Sequence, residues 1–209
     1  MLRPKAAAFP EADSGRGKYP AGDSFSLIHD PRNDFGKLYT VDKLGNVWGA
    51  RPVLYVNTEV AALKAAALAG IRAGTPVFFG CDVGQSSTST RGIMDTALYP
   101  PSSYQNAFGV ALGLTKAQRL QMGESAMTHA MVLAAVHVED GKTVRWKVEN
   151  SWGEGPGEKG WFVMSDAWFD EFVYQVVVPK ALAPKELVKV FEGTERVVLP
   201  AWDPMGALA

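Results

Sequence analysis

Residues 128–153 constrain this chain more than any other segment, because two strands and the turn between them are written there without a break. His129-Ala130-Met131-Val132-Leu133-Ala134-Ala135-Val136 is a continuous apolar run of the length a buried strand requires. Asp140-Gly141 is a residue pair that accepts the positive backbone torsions of a tight hairpin turn. Residues 143–150 then alternate, with Val144, Trp146 and Val148 on one face and Arg145, Lys147 and Glu149 on the other. A hairpin built this way brings His129, at the start of its first strand, near Asn150, at the end of its second.

That proximity has a chemical use. An imidazole that moves protons needs one ring nitrogen held by a hydrogen bond, so that its tautomer and orientation are set and the other nitrogen is free to work. A neutral Asn carbonyl can supply the bond, and the indole of Trp152 can keep water away from it. The third member of a Cys-His-Asn site is a thiol. Taken alone, a His–Asn pair in a hairpin reads as a satisfied structural histidine; the residues around this pair change that reading.

Residues 124–131, Glu-Ser-Ala-Met-Thr-His-Ala-Met, and residues 146–153, Trp-Lys-Val-Glu-Asn-Ser-Trp-Gly, resemble the histidine and asparagine segments of the papain-like cysteine peptidases. Within that family they are most similar to the bleomycin hydrolase branch of aminopeptidases. The ending Leu199-Pro200-Ala201-Trp202-Asp203-Pro204-Met205-Gly206-Ala207-Leu208-Ala209 resembles that branch's C-terminal tail. Weaker agreement runs through Asp30-Pro31, Gly36-Lys37-Leu38, Leu44-Gly45-Asn46-Val47 and residues 78–84. The resemblance implies a Cys-His-Asn peptidase with His129 and Asn150 as catalytic residues, Trp152 in support and no metal or cofactor. It implies peptide or amide substrates cut from free amino ends, and a homohexamer for the intact enzyme. It also implies a tail lying in the active-site cleft, ending here at Ala209.

Composition narrows the rest. A chain of 209 residues suits one domain, or one lobe of a larger enzyme, and 47% hydrophobic residues suffice for a core. A net charge of −1 offers no electrostatic case for nucleic acid or an anionic membrane. One cysteine precludes an intrachain disulfide and fits a reducing compartment. No apolar stretch is long enough to span a bilayer, and the first residues lack a secretory signal's apolar core, so the expected location is cytoplasmic.

Along the chain, residues 1–22 have no usable period and read as a flexible lead-in. Residues 23–198 read as the His/Asn-bearing lobe, and residues 199–209 as the tail. Strands are expected at residues 25–29, 38–41, 46–48, 53–56, 77–79, 161–164 and 174–178. A helix capped by Thr58 should cover residues 59–73, with Val60, Leu63, Ala67, Leu68 and Ile71 on its buried stripe. Thr115 and Gln118 have capping-box spacing at the start of a short helix. Further short helices are expected at residues 166–172 and 184–191. Tyr99-Pro100-Pro101 should interrupt any regular element. Runs of strands with a few helices, without a regular βαβ alternation, indicate an α+β fold with a mainly antiparallel sheet. The resemblance implies the same: the β-rich lobe of the papain-like fold.

The nucleophile is missing. Cys81 is the one thiol, follows an apolar strand, and reads as a buried structural residue. His137 lies eight residues beyond His129, too far at about 3.3 Å per residue to share a metal ion with it. His29, before Asp30-Pro31, reads as a surface residue or one that supports the site indirectly. Two readings follow. In one, the chain is the histidine-bearing part of a longer aminopeptidase; in the other, it is a short inactive paralogue that binds, inserting into a hexamer of full-length relatives. The intact tail and asparagine segment favour the first. Trp202 is expected to anchor the tail, with residues 206–209 running toward His129.

Overall fold

The computed structural model describes residues 21–45 and 52–207 together with Tyr19 and Gly49. Most of the lead-in, the strand expected at residues 46–48 and the terminal Ala209 lie outside the described residues. The chain forms β1 (Ser24–Ile28), β2 (Lys37–Val41), β3 (Tyr55–Asn57), α1 (Val60–Arg72), β4 (Val77–Cys81), β5 (Ser87–Thr88), β6 (Ile93–Met94) and α2 (Pro101–Phe108). It continues through α3 (Lys116–Met122), β7 (His129–Glu139), β8 (Lys142–Glu149), β9 (Trp161–Ser165), α4 (Asp166–Phe172), β10 (Val173–Pro179), α5 (Lys185–Phe191) and β11 (Val197–Leu199).

The strands of the described residues join one 11-stranded sheet in the order β11-β2-β3-β1-β10-β4-β7-β8-β9-β6-β5. Its middle, β1-β10-β4-β7-β8-β9, is antiparallel throughout. Parallel pairs occur toward the sides, β1 with β3, β11 with β2 and β6 with β9. These need long connections, which short-range sequence patterns do not announce.

The hairpin β7–β8 turns at Asp140 and Gly141, both with positive φ, as a two-residue loop matching the strands' twist demands. Its pairing shifts register twice along β7, between Leu133 and Ala135 and between His137 and Val138. At the hairpin's open end Leu133 faces Val148. Two residues further along, that register sets Asn150 opposite Met131, a diagonal neighbour of His129 on the same face.

One core lies between the sheet and the helices α1 and α4. Leu63, Ala66 and Ala67 of α1 and Trp168, Phe169 and Phe172 of α4 meet Val77, Phe79, Leu133, Trp146, Val148, Phe162 and Val176. The buried face of α1 is therefore rotated from the expected stripe: Ala66 and Gly70 are buried, while Val60, Leu68 and Ile71 are only partly covered. The reason is close approach. A Cβ on Gly70 would stand 2.6 Å from Val77 Cγ2, so only a small-residue face lets the helix sit down on the sheet. Thr58 does not cap it either; Glu59 holds the N-cap position without a side-chain bond. A second cluster, Ile28, Tyr39, Val41, Tyr55, Leu120, Met127, Tyr174, Leu199 and Met205, joins α3 and the C-terminal turn to the sheet.

The capping box of α3 is present, with Thr115 and Gln118 bonding reciprocally. Pro100 and Pro101 start α2 where the sequence suggested only interruption, because a missing N–H costs nothing in a helix's first turn. Lys116, legible only as a helix-start residue, is buried and donates from Nζ to the carbonyls of Asp170 at 2.9 Å and Val173 at 2.6 Å.

His29 is also not at the surface. It is buried, its ring stacks on Phe35, and Nδ1 donates to the Thr58 carbonyl at 3.0 Å. Burial, and then the charge of Lys116, pull its pKa from 6.5 down to about 4, against the opposing pull of the Thr58 carbonyl and Asp30. The folded chain thus resists a proton that the unfolded chain accepts. The His29 contribution is complete above pH 6.5 and declines as the pH falls toward 4, by about 3 kcal/mol in total. In urea unfolding, wild type should lose stability from pH 7 to pH 4.5 by more than His29→Gln does. Equal losses in the two proteins would disprove this assignment.

Candidate active site

His129 opens β7 and is partly buried. Its Nε2 lies 2.9 Å from Asn150 Oδ1. That oxygen also accepts the Ser151 backbone N–H at 2.8 Å, so it is an acceptor and the imidazole must donate to it. The neutral ring is therefore the Nε2–H tautomer, and Nδ1 is left with its lone pair. Asn150 is itself buried, its backbone N–H bonded to the Gly160 carbonyl at 3.1 Å. Among the described residues its Nδ2 has no partner.

Trp152 lies beside the His129 ring. Its ring centroid is 4.8 Å from that of His129, and it also meets Phe162 edge-on at 6.2 Å. The indole is 45% exposed. The sequence-nominated trio of His129, Asn150 and Trp152 thus meets in one place.

Cys81 is close in the sheet but chemically remote. The β4–β7 register sets it directly opposite His129, and its carbonyl accepts the Thr128 N–H at 3.0 Å. Yet the side chain is 0% exposed within the core. Burial, and then the neighbouring Asp82 charge, push the thiol well above its ordinary pKa. A thiol in that setting neither ionises nor meets a substrate. His137 is exposed toward the turn end of β7 and takes no part in the site.

The tail is anchored, but not by the expected residue. Trp202 is 85% exposed. Asp203 and Met205 hold the turn instead. Asp203 accepts from Arg32 at 2.9 and 3.2 Å and caps the turn through the Met205 N–H at 2.9 Å. Arg32 bonds Asp30 at the same time, through Nε at 2.9 Å and a terminal nitrogen at 2.7 Å. Met205 is fully buried in the second core, and the Pro204 carbonyl accepts the Met127 N–H at 3.4 Å. A large aromatic side chain suggested an anchor; the actual one is an ion pair between residues far apart in sequence, invisible to local reading. Ala209 lies outside the described residues.

Sequence reasoning also missed the polar cluster beneath β7. The Ser125 hydroxyl donates to Asp82 Oδ2 at 2.7 Å and lies 2.7 Å from the Tyr174 hydroxyl. A usable signal existed in Asp82 itself, a carboxylate directly after an apolar strand.

The chain matches the peptidase C1-like family over residues 18–206. It is similar to the aminopeptidase C of Listeria monocytogenes, with 50% identity over 185 residues, covering 88% of this chain and 41% of that protein. Its identity to the bleomycin hydrolase of Homo sapiens is 47% over 193 residues, covering 90% of this chain and 42% of that protein. The crystal structure of PepW from Lactobacillus rhamnosis superposes with a TM-score of 0.86 at 49% identity, covering 91% of this chain and 43% of that one. Across these relatives the chain spans 41% to 43% of their length.

Proposed function

Since the chain belongs to the peptidase C1-like family, we propose that it supplies the His/Asn part of a cysteine-type aminopeptidase active site. The observation that carries this reading is the Nε2–H tautomer of His129 set by Asn150, which leaves the Nδ1 lone pair to accept a proton, with Trp152 beside the ring. His129 Nδ1 accepts the proton of a thiol supplied from outside this sequence, since its own single cysteine is sealed in the core. The thiolate attacks the substrate carbonyl, the C–N bond breaks, and the imidazolium returns the proton to the leaving amine. Water then attacks the thioester with His129 again taking a proton, releasing the acid and restoring the thiol. Asn150 keeps the ring aligned in both half-reactions, and Trp152 keeps water from competing for Nε2–H.

Substrates in this reading are peptides and amino-acid amides bearing a free amino end. In this reading the tail that follows the Asp203–Met205 anchor limits cutting to single terminal residues. The Pro204–Met127 bond supports that role, since it fastens the anchored turn two residues before His129. The assembled enzyme is a cytoplasmic homohexamer. Among the described residues no helix is long and apolar enough to cross a membrane.

One consequence is direct. The chain as it stands should not hydrolyse amino-acid amides, and a thiol-directed peptidase inhibitor should leave the native protein unlabelled. Cys81 should react only after unfolding, as mass spectrometry can follow. Stoichiometric labelling of native protein, abolished by Cys81→Ser, would show that the nucleophile lies within this chain and overturn the division of roles.

A further inference from the structure

We propose that Asp82 is a positioning residue for His129, acting through Ser125 and the connector that leads into β7. This deepens the peptidase reading and rests on it for its functional meaning, although the geometry stands by itself.

Residues 123–128 join α3 to β7 with no regular secondary structure, yet every backbone N–H in them has a partner. Gly123 bonds the Leu120 carbonyl, and Glu124 and Ser125 both bond that of Arg119. Met127 bonds Pro204, and Thr128 bonds Cys81. The remaining amide, Ala126, points to Asp82 Oδ2 at 3.4 Å, the one member of the set held by a side chain. The same oxygen takes the Ser125 hydroxyl proton. Because that proton is committed, the Tyr174 hydroxyl must donate to Ser125 Oγ, giving one polarity from Tyr174 through Ser125 to Asp82. All three side chains are buried, so none can exchange its partner for water without moving.

Asp82 is well placed for this. It directly follows Cys81, the residue opposite His129, and its own N–H bonds the Phe172 carbonyl at 3.0 Å. The end of β4 is thereby tied to the α4–β10 corner, and the connector is tied to the end of β4. What the carboxylate controls is the direction in which the chain enters β7, hence the placement of the His129 ring against Asn150. Lys116 Nζ lies over the Tyr174 ring, 4.6 Å from its centroid.

The test uses the full chain labelled with 15N-histidine, reading the His129 nitrogen shifts and the exchange of its Nε2–H with water. Wild type should show the Nε2–H tautomer with a protected proton. Asp82→Ala should mix the tautomers and speed exchange about tenfold or more, the mark of local opening. Asp82→Asn, whose amide oxygen can accept both bonds, should restore the wild-type spectrum. Leu187→Ala, which damages the main core at α5 and not the Asp82–Ser125–Tyr174 cluster, should lower stability and leave the His129 signals alone. Unchanged signals in Asp82→Ala, or equal loss in Leu187→Ala, would overturn the assignment. Should Asp82→Ala not fold, Ser125→Ala is read in its place, with the same direction expected and an unchanged spectrum counting against the proposal. None of these readouts involves peptidase activity, so a chain whose His129 proved catalytically idle would refute the peptidase reading and leave this result intact.

Discussion

Changing His129 to alanine, in an enzyme that joins this chain to the upstream part of Listeria aminopeptidase C, should lower kcat on aminoacyl amides by about four orders of magnitude, the upper range for a positioned acid–base group. The loss should fall on kcat, with KM nearly unchanged, since the imidazole moves protons in the transition state and contributes little to ground-state binding. Asn150→Ala should cost less, about 100-fold. The base would remain, but without Oδ1 the ring would be free to rotate and to take the wrong tautomer. The ordering is the informative part. If Asn150→Ala proved as damaging as His129→Ala, Asn150 would have a direct part in the chemistry. If His129→Ala retained more than a tenth of the activity, the proposed site would be wrong.

Arg32→Met should destabilise the fold by about 3–5 kcal/mol, the cost of removing one partner from a buried ionic cluster. Two carboxylates depend on this guanidinium. Asp30 is completely buried and Asp203 nearly so, and both receive charged hydrogen bonds from it. Asn33 Nδ2 still donates to Asp30 at 2.9 Å in the variant, but it brings no positive charge. Against an ordinary domain stability of about 5–15 kcal/mol, that loss is a large share. The unfolding midpoint in urea should fall, and protease should cut residues 200–207 sooner than in wild type, because Asp203 and Met205 leave together. Arg32→Lys should fall between the two, keeping the charge but losing the fork that spans both acids. A loss under about 1 kcal/mol, the value of an exposed pair, would show that Arg32 is not the keystone of this corner.

How far the sequence could be read differs between regions for physical reasons. The β7–β8 hairpin was legible because its signals are local: an apolar run, a turn pair tolerant of positive φ, a period of two. The same patterns set out α4 and the α3 capping box. Reading was partial on α1: the helix and its buried Leu63 and Ala67 were legible, as was an alanine-rich face fit for close approach, but the sheet buried Ala66 and Gly70 in place of Val60, Leu68 and Ile71. It failed on His29, since nothing in Leu-Ile-His-Asp-Pro says that α1's leading loop and Phe35 will close over the ring. The tail failed in the same way, with a conspicuous Trp202 taken for the anchor while Asp203 and Met205 held the turn.

The candidate site divides along the same line. The sequence by itself determined that His129 and Asn150 would be neighbours, because twenty residues of strand, turn and strand leave them little else to do. It determined too that the one cysteine would be buried, following an apolar run with no helix to activate it. Only the tertiary structure decided which imidazole nitrogen is committed, because that depends on Ser151 N–H claiming the same oxygen. Only it brought Asp82 to Ser125 and Arg32 to Asp203, pairs separated by 43 and 171 residues. Such contacts have no local signature: each partner is an ordinary polar residue until the sheet closes around both and removes the water that would otherwise satisfy them.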